Sequence, residues 1–301
     1  MKVFLFLSAL STLFTQAFSQ NLVLATYQYA DNNRLANIQP LADYLSKALN
    51  QKIEVKSYPS VHQFIEGIQA NEVDIALINT FGFLLLDVSS KPYFMKPYAV
   101  LKVKEGTQDN YKTAIIARPD LPIDSIAEIS KVAAGSTLAL VNAGSTSGNL
   151  VPRLILNSGG ITEPEKQFQS FFYGGNHKTT TDALLEGKAD MAAVGSTEYF
   201  SAMADPVKAA RIKLLWLSPE IPLGPVLLHN RLDGALKARI TSLMLNLHQT
   251  NPAALDSVKN GWSEAKQAEK YIGLDAGYYA PFKQQFGPAS GMEKILARFA
   301  N

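Results

Sequence analysis

From Leu22 to His229 the chain alternates short runs rich in Val, Ile, Leu, Ala and Tyr with longer amphipathic stretches. A short apolar run suits a strand buried on both faces, and the amphipathic stretch after it suits a helix that carries the chain back to the same end of the sheet. This alternation predicts an α/β chain with mainly parallel sheets. Strands are expected at 22–27, 53–58, 74–79, 98–103, 113–118, 137–142, 169–173, 191–195, 213–217 and 225–229.

The segment 33–49 places Leu35, Ile38, Leu41, Leu45 and Leu49 on one face, a helical period. Further helices are expected at 61–70, after Asn79-Thr80, from Ser145, and at 179–185. The last stretch reads as mostly helical, over 232–248, 252–259, 263–271, 278–285 and 292–299. Residues 64–79 and 183–195 share one plan of helix, turn, Asp and small-residue strand, which repeated βαβ construction explains without gene duplication.

Polar segments at 104–110 and 219–223 are the best places for the chain to pass between two lobes, and two such passages make a hinge. The expected division is a leader over 1–19, one lobe from 20–108 with 219–301, and a second lobe from 109–218. The leader reading rests on Lys2, an apolar stretch from Val3 to Leu13 and the small residues Ala17 and Ser19. That stretch is shorter than the roughly 20 residues needed to span a bilayer. Farther along, the longest apolar stretch, 75–88, is interrupted by Asn79, Thr80 and Asp87. Export into the periplasm as a soluble protein is therefore expected.

With 28 Lys and Arg against 26 Asp and Glu, interspersed along the chain, no concentrated basic face is available for nucleic acid or an anionic membrane. The absence of Cys rules out disulfides and thiolate metal sites. His62, His229 and His248 show no metal-ligand spacing, and no carboxylate pair stands at catalytic spacing. No metal or other cofactor is expected.

The most informative segment is Val141-Asn142-Ala143-Gly144-Ser145-Thr146-Ser147-Gly148-Asn149-Leu150-Val151-Pro152. A strand ends, glycines allow a tight turn, and hydroxyl side chains stand where a helix begins. The first helical turn leaves backbone N–H groups unpaired at the positive end of the macrodipole, so Ser145, Thr146 and Ser147 can complete a neutral cradle for an anion. An ordinary N-cap needs only one such residue. Two catalytic motifs come close and fail. A nucleophile elbow needs Ser midway between the glycines, where Thr146 stands, and a nucleotide phosphate loop needs Lys after the second glycine, where Asn149 stands.

Four segments in order, FIEGIQANEVDIALIN (64–79), STSGNLVP (145–152), GGNHKTTTDALLEGKADMAAV (174–194) and WLSPEIPLGPVLLHNRL (216–232), resemble the phosphate/phosphonate-binding periplasmic proteins of ABC importers. The resemblance runs over almost the whole chain after the leader, and STSG-x-L-V-P is its most specific part. It implies a two-lobed periplasmic binding protein of type II with two hinge crossings. It also implies a non-enzymatic monomer that captures a small phosphorus oxyanion (phosphate, phosphite or an alkylphosphonate) between the lobes and delivers it to an ABC permease of the inner membrane. The same fold could instead report its ligand to a membrane sensor kinase, or carry an enzyme making a pyrimidine precursor; lack of Cys weighs against the enzyme.

The resemblance carries Ser145, Thr146 and Ser147 to the phosphonate oxygens, Tyr111 to a ligand-contacting Tyr after the lobe crossing, and His177 to the family His. For His177 a hydrogen-bonded turn role is an equal alternative. Thr80, opening the third helix, is a donor candidate from the opposing lobe or a plain N-cap. Family members that bind aminoalkyl phosphonates place acids where Lys178 and Ser201 stand here, and a Tyr where Val61 stands. A ligand without an amine is the expectation that follows. Trp216 and Trp262 read as core or hinge packing, and Glu198 as either a ligand contact or a helix cap.

Overall fold

The computed structural model describes residues 21–30, 32–104, 110–275, 277–286 and 289–299. The expected leader, and residues 105–109 of the first expected crossing, lie outside them. The strands are β1 (Leu22–Tyr27), β2 (Ile53–Tyr58), β3 (Ile75–Leu77), β4 (Met95–Val103), β5 (Thr113–Ala117), β6 (Thr137–Leu140), β7 (Ser170–Tyr173), β8 (Met191–Gly195), β9 (Lys213–Leu217), β10 (Pro225–His229) and β11 (Ala268–Gly273). They form a six-stranded sheet in the order β11-β4-β10-β3-β1-β2 and a five-stranded sheet in the order β7-β6-β8-β5-β9.

Both sheets are mixed. β1 runs parallel to β2 and β3, and β6 runs parallel to β7 and β8, as crossover helices require. β5 and β10, the first strands after each passage between the sheets, run antiparallel to both their neighbours. A strand arriving from the other sheet enters from the facing side, opposite to strands built by crossover helices.

Every expected strand is present within a few residues at its ends, but the expected helix over 263–271 is not. A short 3-10 turn at Ser263–Ala265 leads into β11, which pairs antiparallel with β4. The helix-favouring Glu269 and Lys270 fall on exposed positions while Ala268 and Tyr271 are buried, so the free edge of β4 outweighs local propensity.

Helix α1 (Arg34–Leu49) starts under the Asn33 side chain, which accepts from the Ala36 N–H, and ends at Asn50 in the left-handed conformation (φ 52°). Its buried row is Arg34, Ile38, Leu41, Leu45 and Leu49, while Leu35 is 38% exposed, a correction to the expected face. The helix is rotated so that the Arg34 guanidinium enters a cage of the Tyr27, Tyr29 and Trp262 rings, 4.5, 5.1 and 4.5 Å from their centroids. Helix α2 (Val61–Gln69) packs so closely on β2 that a Cβ on Gly67 would fall 2.3 Å from the Tyr58 ring. Helix α3 (Thr80–Val88) follows β3, and α4 (Val151–Ser158) continues from one π-helical turn, Thr146–Leu150.

One apolar cluster fills the first sheet's unit and two others cover the faces of the second sheet. The 146–158 helix joins them. Leu150, Val151 and Leu154 pack into the first cluster, and Leu156 into one of the second. The C-terminal segment also touches both units: Phe299 stacks edge-on against Phe81 at 5.6 Å and lies 5.1 Å under the Arg153 guanidinium. The two units are thus apposed, with buried side chains crossing between them.

Candidate functional site

Helices begin just beyond the C-terminal ends of four strands: α3 after β3, the 146–158 helix after β6, His177–Leu185 after β7 and Ser196–Met203 after β8. Such strand ends are where open α/β sheets bind ligands, and each helix start adds unpaired N–H groups and a positive dipole end. The starts of α3 and of the 146–158 helix meet face to face. The Phe81 N–H donates to Thr146 Oγ1 at 3.1 Å, the Asn79 side-chain amide donates to the Gly144 carbonyl at 2.9 Å, and a Cβ on Gly144 would fall 2.5 Å from Val61. Val61 therefore occupies the wall against which the glycine turn closes.

Within the hydroxyl run each oxygen has a defined job. Ser145 caps the helix, accepting from the Gly148 N–H at 3.0 Å, and Thr146 accepts from Phe81. Tyr111 Oη accepts from the Ser147 N–H at 3.2 Å, which places it against the same turn. An oxygen that accepts from a fixed N–H keeps its own hydrogen free to donate, so Ser145, Thr146 and Tyr111 are all poised as donors. Ser147 Oγ is fully buried and has no partner, an unusual state for a hydroxyl and one that points to a missing acceptor. It stands 3.3 Å from the position a Gly195 Cβ would take, and so does His177 Cε1. A side chain at 195 would fill the space between them.

His177 opens its helix under an Asn176 capping box, and its Nδ1 accepts from the Gly195 N–H at 2.9 Å. That bond fixes the ring proton on Nε2, which is then the donor left for another group. Burial pushes its pKa down to about 4, so the ring is neutral near pH 7. Burial likewise raises the Tyr111 pKa well above its ordinary value, so the phenol stays protonated and able to donate. Tyr111, His177 and Gly195 line a cavity of ≈80 Å³ with Thr197, Glu198, Ser263 and Glu264. That is several times the ~10–15 Å³ a single water requires.

A second layer holds the turn in shape. Asn149 donates to the Ala143 carbonyl at 2.9 Å and accepts from Arg153 Nε at 2.8 Å, while Arg153, itself buried, is paired with Glu165 and bonded to Tyr173. Burial works against ionisation of Glu165, and the Arg153 pair outweighs it, holding the carboxyl below its ordinary range.

The structure thus gathers Ser145, Thr146, Ser147, Tyr111 and His177 at one cleft. Thr80 differs. It is buried at the first position of α3 behind the Asn79 cap, but its hydroxyl donates to the Pro222 carbonyl at 2.5 Å, so its hydrogen is already committed to the returning chain. Lys178 is 70% exposed and paired with Asp182 along its own helix, so it does not bear on the cavity. Trp262 packs over Arg34 rather than in the cleft.

Two residues escape a reading of the sequence. Tyr29, just past β1, carries a buried hydroxyl without a partner and lies with its ring 6.2 Å from His177. Its only signal is its place after a strand end. Glu264 lines the cavity from the 3-10 turn before β11, in the segment read as helix. Among the described residues, no group of His, Asp or Glu could hold a metal ion, and no helix is long and apolar enough to cross a membrane.

Comparison with known proteins agrees with this geometry. The family described as the periplasmic substrate-binding protein of phosphonate ABC transporters matches residues 24–271. The chain is similar to the phosphate-import protein PhnD of Mycolicibacterium smegmatis, 26% identical over 214 residues, covering 68% of this chain and 65% of that protein's length. Among solved structures it is similar to XAC2383 from Xanthomonas citri, determined with chloride bound (TM-score 0.72, 19% identity, 92% of this chain and 99% of that one). It is also similar to PhnD1 from Prochlorococcus marinus in complex with methylphosphonate (TM-score 0.64, 16% identity, 90% and 98%). At these identities the structures speak for the fold alone, the two-lobed type II arrangement.

Proposed function

The chain belongs to the family of periplasmic substrate-binding proteins of phosphonate ABC transporters, and from that premise we propose that it captures a small phosphorus oxyanion between its lobes for import. The reading covers phosphate, phosphite and alkylphosphonates. It rests on one observation above the others: Ser147 Oγ, fully buried and without a partner, in a turn whose other hydroxyls are held with their hydrogens free. The proposed ligand set is Ser145, Thr146, Ser147, Tyr111 and the Nε2–H of His177, with Thr80 bracing α3 rather than donating.

All these groups are neutral donors. They favour an anion by hydrogen-bond fit, since each buried donor left unpaired costs about 1–3 kcal/mol. Nothing in the set is an activated nucleophile, so binding without turnover is the function it suits. The lobes are taken as residues 20–108 with 219–301, and 109–218, closing about the two passages between the sheets. Periplasmic location follows from the family, and the partner to which the closed form delivers its ligand is an ABC permease.

Calorimetric titration with phosphate, phosphite, methylphosphonate and sulfate tests the reading. Binding of at least one phosphorus oxyanion, tighter than sulfate, is expected. Saturation by sulfate alone, or by none of the four, would contradict it.

A further inference from the structure

The oxyanion site accounts for one side of the ≈80 Å³ cavity and leaves the other unexplained. Opposite His177 and Tyr111 the lining includes Glu198, at the start of the Ser196–Met203 helix in the second lobe, and Glu264, in the turn before β11 in the first. Neither carboxylate has an ion pair among the described residues. The one nearby bond is a long contact from the Ser263 hydroxyl to Glu264, at 3.5 Å. The cations that could have neutralised them are engaged elsewhere. Lys178 holds Asp182, and Arg34 donates to the Gly261 carbonyl at 2.7 Å inside its ring cage.

A binding site for a bare anion gains nothing from two carboxylates, which repel each other and the anion at close range. They make sense if a positive group enters between them. We propose that Glu198 and Glu264, one from each lobe, form a second subsite that takes a compact cation, so that the ligand is a phosphorus oxyanion carrying an ammonium group. This rests on the oxyanion reading above, because the buried, unpartnered Ser147 hydroxyl fixes the other end of the same ligand beside Gly195. It reverses the expectation of an amine-free ligand, which leaned on Lys178, a residue now seen to face solvent. Since the two carboxylates come from opposite lobes, the ammonium also removes a repulsion that works against closure. Selectivity and closure are then coupled through the same pair.

Titration of the whole protein with 2-aminoethylphosphonate and with ethylphosphonate, which differ in the amine, tests this directly. The wild type is expected to prefer the amine by about tenfold to hundredfold, the range of a charged hydrogen bond. Glu264→Gln and Glu198→Gln should each shrink that preference while leaving ethylphosphonate affinity unchanged or improved, which also shows that the variants are folded. Equal or tighter binding of ethylphosphonate by the wild type, or an undiminished preference in both variants, would overturn the proposal. Failure of both compounds and of phosphate to bind would overturn the oxyanion reading and this proposal with it.

Discussion

The Phe81 backbone N–H of the first lobe donates to the Thr146 hydroxyl of the second across the cleft at 3.1 Å. Two helix starts, each rich in unpaired donors, are joined at the point where an anion would neutralise both. Thr146→Val keeps the shape and removes the oxygen. The buried Phe81 N–H then loses its acceptor, at about 1–3 kcal/mol. Ligand affinity should fall about tenfold or more, and small-angle scattering of the liganded protein should show a more open average shape than the wild type. Unchanged affinity would separate this bond from closure.

Steric closure gives an independent handle. A Cβ on Gly144 would meet Val61 at 2.5 Å, and this contact exists only when the lobes meet. Gly144→Ala is expected to weaken ligand binding with little effect on the melting of the ligand-free protein. Val61→Ala in the same chain should recover most of the loss, the coupling that a double-mutant cycle measures. No recovery would place the effect within the turn itself.

Protonation of His177 sets a pH window. Its pKa falls from 6.5 unfolded to about 4 folded, so the unfolded chain binds the extra proton between those values, and stability is lost as pH drops from about 6.5 toward 4. The size is on the order of 2–3 kcal/mol at pH 4 relative to pH 7. His177→Gln, which can still accept from the Gly195 N–H, should flatten that part of the stability profile measured by urea unfolding. A variant with the wild-type slope would show that other groups control it.

Much of this architecture is legible in the residues because it rests on local physics. The strand–helix alternation locates every strand but β11, and the hydroxyl run with its flanking glycines marks the helix start that meets α3. What stays hidden depends on tertiary geometry. β11 forms because β4 offers a free edge, against the local preference of Glu269 and Lys270. Arg34 is buried because three rings from distant segments surround it, which displaces Leu35 to the surface. Lys178 looks like a cavity residue by its place beside His177, yet the turn of the helix directs it to Asp182. Glu264 could not be read at all, since its segment looked helical.

Tyr111 offers a finer probe of the hydroxyl turn. Its Oη accepts the Ser147 N–H at 3.2 Å and lines the cavity. Tyr111→Phe leaves that buried N–H unpaired, so it should lower both the melting temperature and the ligand affinity. The affinity loss should be the larger, because the variant also lacks the O–H donor. A loss of stability alone would confine Tyr111 to supporting the turn.

Ser147→Ala is the most direct test of oxyanion capture. Ser147 Oγ is buried and makes no hydrogen bond in the protein itself, so its removal takes away nothing that holds the empty fold together. Calorimetric titration with the tightest phosphorus oxyanion should show binding weakened by more than about tenfold, the value of one charged hydrogen bond. The melting temperature without ligand should stay close to that of the wild type. Equal affinity in the variant would mean that the hydroxyl run is not where the anion is held.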